Sequence, residues 1–267
     1  MQISEEDRLE RRIVSRFRKA ISDFHLVDDG DHILVALSGG KDSLCLLDLL
    51  ARQSQVYRPK FHVEAVHVRM ENIQYESDTT YLEDFCHQRG VKLHILTTRF
   101  ETDDHSINNE SQTESTLQGD NRPSPKLLRK QKTPCFLCSW YRRKEILNLA
   151  KAEGFNKIAL GHHQDDIIHT TLMNLFFQGR FEGMPANLHM NKMPLTIIRP
   201  LCLEHECDLR AFANLHRYQK QHKNCPHEHN THRADIAHFY QQVEHMNAEA
   251  RNSIWHALQI AGKLIEY

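Results

Sequence analysis

Residues Ser38-Gly39-Gly40-Lys41-Asp42-Ser43 stand between two apolar runs, Ile33–Leu37 and Leu44–Leu47, in the order of a strand, a tight turn and a helix start. Two adjacent glycines let the backbone turn sharply, so successive N–H groups converge on one concavity. The helix behind them adds the positive end of its dipole. Ser38 and Ser43 supply hydroxyls, and Lys41 a mobile cation. Such a junction holds phosphate. Its spacing is not that of G-x-x-x-x-G-K-[ST], which excludes that class of nucleotide loop.

Cys135-Phe136-Leu137-Cys138 follows Pro134 and opens a helix, where the dipole favours thiolate. Cys225 precedes Pro226 and is the third candidate thiol. With His227 or His229 the three cysteines make a closed zinc site; without a fourth ligand they hold an iron–sulfur cluster with one iron open. A thioredoxin-like pair fits the spacing but not the position, far from the first βα unit. Residue spacing alone leaves zinc and cluster open.

Gly161-His162-His163-Gln164-Asp165-Asp166 comes after the short strand Lys157–Leu160. Gly161 permits close approach of a ligand, and Asp165 and Asp166 enter the first turn of the next helix as capping residues do. A carboxylate there, with Asp42, suits Mg²⁺ on phosphates. Arg142 and Arg143 lie about one helical turn beyond Cys138, so either can neutralise charge developing on a phosphate.

The elements that must position these groups alternate. Ser4 and Asp7 mark a helix start, and Leu9, Ile13, Phe17 and Ile21 recur every four residues. Strand Ile33–Leu37, helix Asp42–Arg52, strand Phe61–Val68, helix Asp78–Gln88 and strand Lys92–Thr98 follow. This predicts an α/β fold: a parallel sheet with flanking helices, an N-terminal helix and a C-terminal helical extension. Ligands in such sheets sit beyond the carboxyl ends of the strands. Residues 1–200 are expected to form the nucleotide-binding unit and 201–267 a helical region packing on it. A helix is expected from about Asp165 to Phe177, turns over 184–194, and helix from Glu204 onward, broken at Asn224-Cys225-Pro226.

Residues 101–125 carry Glu101, Asp103, Asp104, Glu110, Glu114 and Asp120 against Arg122 alone, with almost no apolar content, and read as a flexible acidic insert. The net charge of −1 therefore hides a basic remainder. Its clusters are Arg8, Arg11, Arg12, Arg16, Arg18 and Lys19, then Lys126, Arg129, Lys130 and Lys132, then Arg142-Arg143-Lys144. Beside a nucleotide site they make a phosphate-backbone footprint. No apolar run approaches a bilayer span, and the acidic, polar start is unlike a signal peptide, so a cytoplasmic protein is expected, with seven cysteines as ligands, catalytic groups or core rather than disulfides. Cys45 and Cys86 read as core; Cys202 and Cys207 lack a partner pattern.

The hexapeptide resembles the PP-loop of ATP pyrophosphatases, which split ATP between the α- and β-phosphates. Its order with Cys135-x-x-Cys138, Arg142-Arg143, Gly161–Asp166, Met173-Asn174-Leu175-Phe176-Phe177-x-Gly179, Met184-Pro185, Ile198-Arg199-Pro200-Leu201 and Cys225 resembles the tRNA 2-thiocytidine synthetase family, over about residues 30–235. The resemblance implies an adenine nucleotide alpha hydrolase-like fold. It also implies an ATP-dependent tRNA sulfurtransferase that adenylates the C2 oxygen of a tRNA cytidine, at position 32, and replaces it with sulfur. Cys135, Cys138 and Cys225 would bind a [4Fe-4S] cluster. Ser38, Gly39, Gly40, Asp42 and Ser43 would hold ATP phosphates, and His67 and Val68 would border the adenine. Lys41, Asp42, Arg142 and Asp166 would be catalytic, Gly161 would complete the nucleotide site, and Asp42 and Asp165 would hold Mg²⁺. Implied partners are tRNA and a sulfur donor such as a cysteine desulfurase, with no membrane; a homodimer is admitted.

Three features depart from the family pattern. Residues 101–132 are longer and more acidic, Lys144 stands where members often have glycine, and Asn224-Cys225-Pro226-His227-Glu228 replaces a second C-x-x-C. The 2-thiouridine synthetases begin with a cysteine-rich zinc module, whereas here no cysteine precedes Cys45. Two rival readings are a PP-loop tRNA ligase resembling lysidine synthetase with structural Zn²⁺ at the thiols, and a nucleotide-binding sensor without turnover.

Overall fold

A computed structural model describes residues 4–71, 73–75, 78–99, 134–221, 223–224 and 232–266. The acidic insert and Cys225 lie outside the described residues.

Ser4 caps helix α1 (Glu5–Asp23) by accepting from the Asp7 N–H at 3.0 Å. Ile13, Phe17, Ala20 and Ile21 form its buried stripe, spaced as one helical face. Strand β1 (His32–Ala36) leads into α2 (Lys41–Ser54), β2 (His62–Met70), β3 (Gln74–Tyr75), α3 (Thr80–His87) and β4 (Lys92–Thr98). Then come α4 (Pro134–Ala152), β5 (Lys157–Ala159), α5 (Gln164–Gln178), β6 (Asn187–His189) and β7 (Thr196–Ile198). The chain closes with α6 (Glu206–Leu215), β8 (Lys223–Asn224), α7 (His232–Met246), α8 (Ala250–Ile260) and β9 (Ile265–Glu266).

The main sheet has the order β4-β2-β1-β5-β7-β6-β9. Pairs β4–β2, β2–β1, β1–β5, β5–β7 and β6–β9 are parallel, and β6–β7 is antiparallel. Strand β1 shows why the sheet is buried on both faces. Ile33 and Val35 join a core with Phe17, Leu47, Phe212 and Leu258, whereas Leu34 joins Val66, Ile158 and Ala150 under α4. Each such side chain taken from water stabilises by roughly 1.5–3 kcal/mol. The chain leaves β1 for β2 on one side and later fills β5 on the other, so a crevice opens at the carboxyl end of β1.

The second half differs from its sequence reading. The turn-prone stretch after Pro185 holds a short strand, β6, because β7 pairs with it in register from Asn187–Ile198 to His189–Thr196. Helix does not run on from Glu204: α6 stops at Leu215, and β8 pairs antiparallel with β3. The chain end is not only helical, since β9 adds a parallel edge to β6. Leu209, Phe212, Trp255, Leu258 and Leu264 share one core with Ile33 and Leu44.

Candidate active site

Three polar contacts shape the turn after β1. The Ser38 N–H donates to Ser43 Oγ at 3.2 Å, the Gly40 N–H to Ser38 Oγ at 3.3 Å, and Ser43 Oγ donates to the Gly40 carbonyl at 2.8 Å. Gly39 sits at φ +79°, a conformation L side chains rarely adopt, and a Cβ there would lie 2.7 Å from Gln221 Cβ. Gln221 crosses the turn and donates its N–H to the Gly39 carbonyl at 2.9 Å. Gly40, the N-cap of α2, offers no side-chain cap, so the helix's first N–H groups remain for an anion.

Gly161 closes the turn from behind. A Cβ there would lie 3.1 Å from both the Asp42 carbonyl carbon and the Ser43 nitrogen, which are backbone and cannot swing aside. The end of β5 thus packs on the first turn of α2 only because residue 161 has no side chain.

On the α4 side, a cavity of about 70 Å³ is lined by Leu37, Ser38, His67, Val68, Arg142 and Ile146, among others. His67 is buried and shares 2.7 Å between Nδ1 and the Leu37 carbonyl; a carbonyl only accepts, so Nδ1 carries the proton. Its Nε2 is a buried acceptor with no partner among the described residues. Burial lowers the His67 pKa, outweighing that hydrogen bond, and Arg142 lowers it further, so the ring stays neutral. Cys138 and Arg142 are four residues apart on α4 and share a helix face; Cys135 is exposed in the same first turn.

On the other side of the turn, Lys41, His163, Asp165, Asp166, Glu206 and Arg233 line part of a cleft of about 450 Å³. Lys41 Nζ is 3.0 Å from Asp42 Oδ1 and 3.2 Å from Glu206 Oε1. Burial would lower the Lys41 pKa, but Asp42 and Glu206 outweigh it and raise it. Asp166 accepts from the His163 N–H at 3.2 Å and lies 3.2 Å from Arg233 Nη2.

Asp165 has another task than the magnesium ligation expected of it. One oxygen accepts from Arg251 at 2.7 Å and the other from the Glu206 N–H at 2.9 Å. Burial would raise its pKa, but His163 and Arg251 prevail and hold it well below the usual carboxylate range. All three carboxylates have partners at both oxygens, and Asp42 and Asp166 are the more exposed, at 27% and 22% against 14% for Asp165. His163 is the reciprocal case: burial opposes its charge, yet Asp165, Asp166 and Asp42 raise its pKa.

Sequence reading did not assign Arg233, Arg251, Glu206, Gln221 or the pair Arg199–His162. Arg199 is buried and donates Nε–H to His162 Nδ1 at 3.2 Å, and donates also to the Pro185 carbonyl. Burial first, then Arg199, pushes His162 down to about 4. Only the motif positions of His162 and Arg199 hinted at this; Arg233, Arg251 and Glu206 come from helices and Gln221 from the segment after α6, none with a local signature.

A PP-loop domain family matches residues 9–119. A tRNA-cytidine(32) 2-sulfurtransferase of Pseudomonas syringae pv. syringae is 32% identical over 255 residues, 95% of this chain and 85% of that protein. The chain belongs to the tRNA-cytidine(32) 2-sulfurtransferase family. A Francisella tularensis member, tRNA-cytidine(32) 2-sulfurtransferase 1, is also 32% identical, over 94% of this chain and 86% of its own. Among solved structures, the U34-tRNA thiolase NcsA from Methanococcus maripaludis with its [4Fe-4S] cluster aligns with TM-score 0.70 over 98% of this chain and 81% of that one. At 19% identity this likeness concerns the fold alone. In this sulfurtransferase family member the PP-loop is Ser38–Ser43, and no helix among the described residues is long and apolar enough to cross a membrane.

Proposed function

We propose that this chain uses ATP to replace the C2 oxygen of a tRNA cytidine, at position 32, with sulfur. The observation that carries the reading is the meeting of the PP-loop with helix α4: Ser38 and Arg142 line one cavity, and Cys138 lies one turn from Arg142 on the same face.

The residues divide the work. Backbone N–H groups of Gly39, Gly40 and the first turn of α2, with the Ser38 and Ser43 hydroxyls, receive the ATP phosphates. His67 Nε2 accepts from the exocyclic amino group of adenine, with Val68 beside it. The cytidine C2 oxygen attacks the α-phosphorus; the O–Pα bond forms as the Pα–O–Pβ bond breaks and pyrophosphate leaves. Lys41 and Arg142 neutralise charge that develops on the phosphates. A sulfur nucleophile then attacks C2, and AMP departs with the old oxygen.

The donor set fits two inorganic groups. Asp42 and Asp166 suit Mg²⁺, which prefers oxygen ligands and substrate phosphates. Cys135 and Cys138 occupy the first turn of α4, where the dipole favours thiolate, and with Cys225 would hold a [4Fe-4S] cluster. Three thiolates leave one iron open, and such a cluster would supply a site that holds sulfur. The sulfur itself would come from a donor protein such as a cysteine desulfurase.

Nucleoside mass spectrometry of tRNA from cells with and without the gene tests the substrate: loss of 2-thiocytidine is expected, and an unchanged level would overturn the assignment. Anaerobic purification should give a brown protein containing iron; a colourless protein with one zinc would overturn the cluster.

A further inference from the structure

Helix α4 carries a second cluster beside the cavity. The Trp140 and Tyr141 rings meet edge to face, with centroids 5.0 Å apart and planes at 80°. Lys144 Nζ lies 5.1 Å from the Trp140 ring centre and 5.9 Å from that of Tyr141. The two rings are half-buried, and Arg143 and Lys144 are exposed. Among the described residues neither ring joins a buried apolar cluster: α4 packs on the sheet through Ile146, Leu147, Leu149 and Ala150, and the rings flank the buried Leu137 at i+3 and i+4. Three successive cations, Arg142-Arg143-Lys144, follow the two rings directly.

Flat rings and cations together match the chemistry of a single-stranded nucleic acid, whose bases stack and whose phosphates pair. A docking protein would ask for a contiguous apolar face, which Arg143 and Lys144 interrupt. We infer that Trp140, Tyr141, Arg143 and Lys144 form a stacking platform for a loop nucleotide next to the target cytidine. This rests on the tRNA reading above. Trp140 and Tyr141 precede Arg142 by two residues and one, about 3 Å or less along the helix axis. At 3.6 residues per turn Tyr141 leaves α4 about 100° round from Arg142 and Trp140 about 200° round, so the loop wraps over the helix, with Arg142 on the cavity side and the rings holding a base outside it. In the free protein the Lys144 ammonium sits over the rings; with a base stacked there it turns to the adjoining phosphate.

The test uses the full chain, purified anaerobically, and end-labelled unmodified tRNA titrated at several salt concentrations, with ATP binding measured in parallel. Trp140→Leu should weaken tRNA binding about tenfold or more, the effect of one lost stack, and Trp140→Phe should recover most of it. Lys144→Gln, at an exposed site, should reduce the slope of log Kd against log salt by about one. ATP affinity should stay within about twofold in all three, since the rings do not touch the PP-loop cavity. Wild-type tRNA affinity in both Trp140→Leu and Lys144→Gln would overturn the platform, and so would an equal loss of ATP and tRNA binding. Unchanged tRNA affinity with a raised KM for the sulfur-donor protein would reassign the cluster to protein docking. Failure of the wild-type chain to bind any tRNA at low salt would overturn this inference and the proposed substrate together, whereas normal thiolation by both variants removes the platform alone.

Discussion

Arg251 Nη2 lies 2.7 Å from Asp165 Oδ1, although the two residues are 86 positions apart. The contact joins the start of α8 to the head of α5, beside the PP-loop. Asp165 also accepts from the first N–H of α6, so a single carboxylate ties three helix N-termini around the cleft.

Asp165→Asn should therefore destabilise the fold by roughly 1.5–3 kcal/mol, because Arg251 loses its closer carboxylate and keeps only Glu244, at 3.0 Å. A carboxyl held below its ordinary value of 3.8 contributes stability at neutral pH that is lost as the pH falls below that value. The variant should accordingly show a shallower acid limb in a plot of denaturation free energy against pH. An acid limb as steep as that of the wild type would exclude this role.

Glu204 behaves in the opposite sense. It is fully buried, neither oxygen has a hydrogen-bond partner among the described residues, and Arg16 approaches no closer than 3.8 Å because it pairs with Asp208 at 2.6 Å. Burial pushes its carboxyl up to about 8, against the pull of Arg16. A raised folded-state pKa means stability present below about 4.5 and lost as the pH rises to about 8. Glu204→Gln should remove that loss and gain roughly 1–3 kcal/mol at pH 9, measured by urea unfolding. No gain at alkaline pH would show that Glu204 is charged at little cost.

Gly161→Ala places a methyl group 3.1 Å from the backbone at Asp42 and Ser43. The first turn of α2 must shift, and overpacking of this kind costs about 1–3 kcal/mol. Because the shifted groups are those proposed to hold phosphate, ATP affinity should fall about tenfold or more, read by calorimetric titration. Intact ATP affinity would mean that the phosphates bind elsewhere.

His67→Phe keeps the ring volume and removes the Nε2 acceptor. Discrimination between ATP and GTP should narrow by about tenfold, since guanine presents a carbonyl where adenine presents an amino group. In the wild type, ATP affinity should decline as the pH falls well below the ordinary histidine value of 6.5, when Nε2 gains a proton and becomes a donor. A competition titration of the two nucleotides reads both effects, and unchanged discrimination would remove His67 from the base site.

Sequence alone determined the elements whose signals are local. The glycine pair in Ser38–Ser43, the 3.6-residue stripe of α1 and the fully apolar β1 each express a backbone or burial demand met within a few residues. Cys135 and Cys138 were legible for the same reason, since three positions on one helix turn bring their side chains together. Tertiary structure decided the rest. Leu188 and Ile265 lie too far apart for either to announce a strand, and β6 with β9 exists only because the chain end returns to the sheet. Lys223 and Asn224 are polar and unremarkable until β3 offers them a partner. Arg251 and Arg233 read as surface charges on C-terminal helices, and only packing of α7 and α8 against α5 brings them to Asp165 and Asp166. Which arginine each of two adjacent carboxylates meets follows from those long-range ion pairs, and no local spacing encodes it.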